Sequence, residues 1–93
     1  MLVRVISGSL NDVAPGLKDV LEAHLRVTLH RGLEIAYEDP KAFKGAVEKL
    51  FGEYSARLLE LIILQRLKAQ FGWLDGPSTL EEAVERVRRI YGE

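Results

Sequence analysis

From Leu58 to Leu64 the chain reads LLELIIL, and Glu60 is the one residue of the seven that is not apolar. The run sits inside a longer stretch, Glu53 to Phe71, that contains no proline and is closed by Gly72. As a helix that stretch is roughly 28 Å long. Successive residues on a helix point about 100° apart, so Leu58, Leu59, Leu61, Ile62, Ile63 and Leu64 cover nearly the whole circumference. A helix on the surface of a folded domain needs only one apolar stripe. A membrane span needs about 20 apolar residues, and Arg57 and Arg66 bracket a run far shorter than that. Protein must therefore enclose this helix on several sides, supplied by the same chain or by a second copy of it.

The rest of the chain reads as helical company for it. Leu17, Val20, Leu21, His24, Leu25, Thr28 and Leu29 recur at three- and four-residue steps, with His30, Arg31 and Gly32 as the expected end. Asp39 is placed to cap a helix that starts at Pro40, whose missing amide costs nothing there. Phe43, Ala46, Val47, Leu50 and Phe51 form its apolar stripe, and Gly52 offers a stop. Trp73 and Leu74 are expected to pack at the corner that follows, ahead of the turn residues Asp75-Gly76-Pro77. Ser78-x-x-Glu81 has the form of a capping box. Leu80, Ala83, Val84, Val87, Ile90 and Tyr91 mark the inner side of a last helix that is acidic at its start and basic near its end.

These signals predict an all-α fold of four main helices, near 17–31, 40–51, 53–71 and 79–91, within a single domain over 1–93. The third helix is expected at the centre, with the first and fourth packed on it. Residues 1–16 are expected to be an arm or loop ahead of a helical core over 17–92. Leu2, Val3, Val5 and Ile6 suit a short strand or an arm docked on apolar surface, and a short helix near Leu10 to Ala14 is an alternative. In LEIAYE, Leu33, Ile35 and Tyr37 alternate, which suits a brief extended piece.

Charge and composition narrow the functional classes. Thirteen Lys and Arg face 14 Asp and Glu, for a net charge of −1. That balance argues against a protein that holds nucleic acid or membrane by bulk charge. With no cysteine, the chain has no disulfide frame, thiolate metal site or thiol nucleophile. The N-terminus lacks the long apolar stretch of a signal peptide, so a cytoplasmic location is expected. One Asn and two Gln beside many Glu, Arg and Lys lean toward a heat-adapted source.

No catalytic, metal or cofactor constellation emerges. His24 and His30 are six residues apart and face different ways on a helix, so they do not converge on a metal. His24 suits a core or interface position and His30 a helix end. Glu81 and Glu85 lack the accompanying histidine of a bundle metal site and read as solvated helix surface, with Glu82 placed to reach Arg86. No serine lies in a nucleophile elbow. Glu60 suits either the one wet side of its helix or a buried pair with an arginine.

The stretch GLEIAYEDPKAFKGAVEKLFGEYSARLLELIILQRLKAQFGW resembles the small archaeal Nitro-type output domains. The resemblance rests on Asp39-Pro40 before a helix, on Phe43, on the Leu50-Phe51-Gly52 stop and on the apolar helix from Arg57, within about residues 16–74. This chain has Glu53-Tyr54-Ser55-Ala56 where that family has Gly-Ala after the stop. The resemblance implies an archaeal, cytoplasmic, helical protein with a binding or regulatory role, alone or attached to signalling proteins, and it carries over no catalytic residue.

The functional expectation is a non-enzymatic interaction module, a homodimer or the docking partner of a signalling protein. Leu2, Val3, Val5, Ile6, Leu61, Ile62 and Tyr91 are the surface expected for the partner. A rival reading is a DNA-binding regulator using Arg66, Lys68, Arg86, Arg88 and Arg89, and a third is a carrier of a small apolar ligand between helices.

Overall fold

The computed structural model describes residues 2–91. Six helices follow one another, α1 Leu2–Val13, α2 Leu17–Leu29, α3 Ile35–Glu38, α4 Pro40–Phe51, α5 Glu53–Phe71 and α6 Leu80–Ile90. No strand occurs among the described residues. The all-helical class stands, with six helices in place of four main ones.

Local chemistry sets several of the ends. Asp39 Oδ1 accepts from the Ala42 amide at 3.2 Å, and Pro40 opens α4 behind it. Gly52 is shared by α4 and α5, at φ 89° and ψ 165°. Positive φ with extended ψ is a region that side-chain-bearing residues avoid, so one glycine lets two helices meet with no loop between them. Gly72, at φ 68°, closes α5 in the left-handed conformation.

Four expectations about elements are corrected. Residues 2–13 are helix rather than arm or strand, because Leu2, Val5, Ile6 and Leu10 share a helical face that is buried in the core. Ser9 is buried on that face too, and its hydroxyl donates to the Val5 carbonyl one turn back at 2.8 Å. Residues 35–38 form one helical turn instead of an extended piece. Helix α2 ends at His30, itself left-handed at φ 57° with its amide bonded to the Arg26 carbonyl, two residues before the glycine expected to stop it. Thr79, not Ser78, caps α6: its hydroxyl accepts from the Glu82 amide at 3.2 Å, while Glu82 Oε2 accepts from the Ser78 amide at 3.1 Å. The reciprocal pair of a capping box is present in spirit but displaced by one residue.

The packing order also differs. Helix α5 is flanked by α1, α4 and α6, and α2 packs on α4 and α1 instead of along α5. The N-terminal helix thus takes the place expected for α2. The core is a continuous cluster to which every helix contributes, centred on Ile6, Leu10, Leu21, Leu25, Phe43, Ile63, Leu67 and Leu80. At the α5–α6 corner Trp73 stacks on Phe71 with ring centroids 5.0 Å apart, whereas Leu74 is almost fully exposed and packs on nothing there. Ile90 and Tyr91, expected on the inner side of α6, are both more than half exposed.

Candidate functional site

The outer side of α5 leaves a row of large side chains partly bare. Leu59, Ile63, Leu64 and Leu67 face the core, while Leu58 and Leu61 remain 48 % and 42 % exposed and Tyr54 82 % exposed. Tyr54, Leu58, Leu61 and Gln65 are all exposed, and half-buried Lys68 continues the line. Their spacing alternates four and three residues, the repeat with which one helix lies along another. Ile62 is half-buried beside this ridge.

A groove runs along each side of the ridge. On one side α1, α2, α4 and α5 form an apolar trough that includes Val13, Leu17, Phe51, Leu58 and Ile62. On the other, Leu61, Gln65 and Lys68 face Pro77 and Ser78 across a more polar cleft. A ridge between two grooves is the surface relief that helix-on-helix packing uses. The trough is partly open to solvent.

Electrostatics fix α5 from its inner side. Glu60 is 5 % exposed and its carboxylate is fully engaged. Oε2 accepts from the Leu80 amide at 2.7 Å and pairs with Lys44 at 3.0 Å, and Oε1 accepts from Arg57 at 2.8 Å. Lys44 also pairs with Glu81 at 2.8 Å. Burial alone would raise the Glu60 pKa, but the Leu80 amide, Arg57 and Lys44 outweigh it and hold the carboxyl below its ordinary value of 4.5. Burial likewise acts to lower the Lys44 pKa, and Glu81 and Glu60 overcome it and raise the ammonium above its ordinary 10.5. Because the Leu80 amide is the first of α6, Glu60 places a negative charge at that helix's positive end. This cluster locks α4, α5 and α6 together, and its polar atoms are used up in doing so.

The residues singled out from sequence are distributed as follows. Leu61 and Ile62 lie on or beside the α5 ridge. Val3 and Tyr91 are exposed at a separate place, where they line a cleft with Leu2, Glu34, Tyr37 and Val87. Leu2, Val5 and Ile6 are buried in the subunit's own core, so they leave little apolar surface for the expected interface. Sequence reasoning passed over Val13, Leu17, Tyr54 and Leu58 as surface for a partner. For Tyr54 and Leu58 the signal was readable, since with Leu61 they continue one seam at heptad spacing.

The basic residues do not gather into one patch. Arg66 pairs with Asp12 on α1. Arg86 donates to the Asp75 carbonyl at 3.1 Å and lies over the Trp73 ring. Arg88 donates to the Tyr37 carbonyl at 2.7 Å and covers that ring, and Arg89 pairs with Glu85 at 2.7 Å. Four of the five are held by partners within the subunit, and Lys68 has none among the described residues. Glu82 bonds to Ser78 and not to Arg86. His24 is half-buried, its Nε2 3.0 Å from the Ala46 carbonyl across the α2–α4 contact, so it serves packing.

The family model described as Nitrosopumilus output domain 5 matches residues 1–89. The chain belongs to this family. A crystal structure of PH0832 from Pyrococcus horikoshii OT3 is similar to this output domain at 56 % sequence identity, with a TM-score of 0.94, covering 99 % of this chain and 94 % of that one. A search of curated proteins finds no match. The family match extends through α1, so the N-terminal helix is part of the pattern that defines the output domain. No described helix is long and apolar enough to cross a membrane.

Proposed function

We propose that this output domain is a non-enzymatic interaction module that associates with a second copy of itself through the outer ridge of α5. The observation that carries the reading is the exposed seam Tyr54, Leu58, Leu61, Gln65 and Lys68 at heptad spacing on a helix whose inner side is already satisfied. Charge favours a second copy in antiparallel orientation. Glu53, beside the start of the seam, and Lys68, at its end, have no ion-pair partner within the subunit among the described residues. A two-fold axis between Glu60 and Leu61 sets Glu53 opposite Lys68 of the partner subunit, brings Leu61 of the two copies together, and opposes the two helix dipoles. The flanking grooves accept the partner's ridge.

Burial of apolar area is the driving force, at about 25 cal/mol per Å², and much of the gross gain is offset by the entropy of association. Light scattering coupled to size exclusion, over a broad concentration range, tests the proposal. The expected mass is that of a dimer, reverting to monomer in Leu61→Glu with the helical circular-dichroism spectrum unchanged. The register is tested by charge exchange: Lys68→Glu weakens the dimer, and Glu53→Lys combined with Lys68→Glu restores it. A monomer at the highest concentration reached sinks the reading.

A further inference from the structure

The other end of the α1–α5 contact has a different character. Arg4, Val5, Arg66, Ala69 and Gln70 line a cleft there. Two arginines and a carboxamide meet with no carboxylate in the lining, in a chain whose net charge is −1. Arg4 is exposed and has neither an ion pair nor a side-chain hydrogen bond among the described residues. Arg66 is tethered from one side by Asp12 on α1, which fixes its guanidinium at the cleft and leaves it other donors. Gly8 lies so near that a Cβ built there would sit 3.4 Å from Arg66 Nη1. That is an ordinary contact distance, and it marks where α1 passes the guanidinium. Ala69, on the opposing helix, keeps that wall low.

We propose that this cleft binds the phosphate-monoester group of a small molecule. The planar donor sets of the two guanidinium groups suit the oxygens of a phosphoryl group, with Arg4 supplying an uncompensated charge and Asp12 offsetting that of Arg66. The Gln70 amide adds one neutral donor. The site is independent of the α5 ridge: none of its lining residues belongs to the dimer seam.

The test titrates inorganic phosphate into the isotope-labelled full chain at constant ionic strength, followed by NMR. Saturable shifts of the Arg4, Gly8, Arg66 and Gln70 amides support the site. Arg4→Gln, which removes no ion pair or side-chain hydrogen bond among the described residues, is expected to weaken binding about tenfold. Asp12→Asn releases Arg66 from its competing carboxylate and is expected to leave binding equal or tighter. Leu61→Glu is expected to bind phosphate as the parent does, whatever its oligomeric state. Equal response to chloride, no saturation, or unchanged affinity in Arg4→Gln overturns the proposal. A second arm uses short DNA and RNA duplexes, and tighter binding to either than to a nucleoside monophosphate overturns the assignment to a small molecule.

Discussion

Helices α5 and α6 pack against each other and differ in how completely their own chain covers them. In α6, Leu80, Ala83, Val84 and Val87 form one buried stripe, and Glu82, Glu85 and Arg89 face water. In α5 the apolar residues go nearly all the way round: Leu59, Ile63, Leu64 and Leu67 are buried, and Leu58 and Leu61 are left partly bare. An amphipathic helix is completed by a single core. A helix apolar on several sides is left partly bare here, even with α1, α4 and α6 around it. The contrast predicts that substitutions along α6 act on stability alone, whereas α5 divides into an inner side that governs folding and an outer side that governs association.

The largest effect is expected at the inner side. Ile63→Ala or Leu67→Ala empties a fully buried position and should destabilise the fold by about 2–5 kcal/mol, read from urea unfolding. Val84→Ala on α6 deletes less volume and should cost about 1–3 kcal/mol. If the α6 change proves costlier than those in α5, the view of α5 as the central helix fails.

The Glu60 cluster comes next. Glu60→Gln leaves Lys44 and Arg57 without their shared carboxylate. Those two partners are partly exposed, 30 % and 50 %, so the loss should fall below that of a fully buried pair, at about 2–3 kcal/mol. The carboxyl ionises below its ordinary 4.5 in the folded chain. Its stabilising contribution is therefore fully present above that value and is lost as pH falls through the lower, folded value. Unfolding midpoints taken from pH 7 downward should show this acid limb, and Glu60→Gln should flatten it. Lys44 behaves oppositely: its raised pKa gives a contribution present below 10.5 and lost as pH rises beyond it.

Smaller again is the cap. Thr79→Ala should cost about 1 kcal/mol and Ser78→Ala a good deal less, because the threonine hydroxyl holds the Glu82 amide. Equal losses would restore Ser78 as the cap. The smallest effect on folding is expected at the outer side, where Leu61→Ser should change stability of the isolated subunit by no more than about 0.5 kcal/mol while lowering the mass seen by light scattering.

The helices legible in advance are those whose ends are written locally. Asp39-Pro40, Gly52 and Gly72 mark α4 and α5, and the structure places these helices at 40–51 and 53–71. The N-terminal helix was hidden by composition. Val3, Val5 and Ile6 are β-branched and Gly8 is a poor helix former, so local preference pointed to a strand. The decisive signal was the spacing of Leu2, Val5, Ile6 and Leu10, which makes sense only once a core exists to receive that face. One partner of Glu60, Arg57 three residues earlier, was readable from sequence. Lys44 and the Leu80 amide were not, since they arrive from helices 16 and 20 residues away.

The sequence by itself determined that this chain is helical, where its middle helices start and stop, and that Leu58 to Leu64 demands cover on more than one side. Caps, glycines and apolar spacing act between near neighbours, and they are therefore visible in a string of letters. Only the tertiary structure decided which helix supplies that cover, that α1 rather than α2 lies along α5, and which arc of α5 stays open. Those outcomes depend on how volumes and charges from distant segments fit together, and no local preference carries that information.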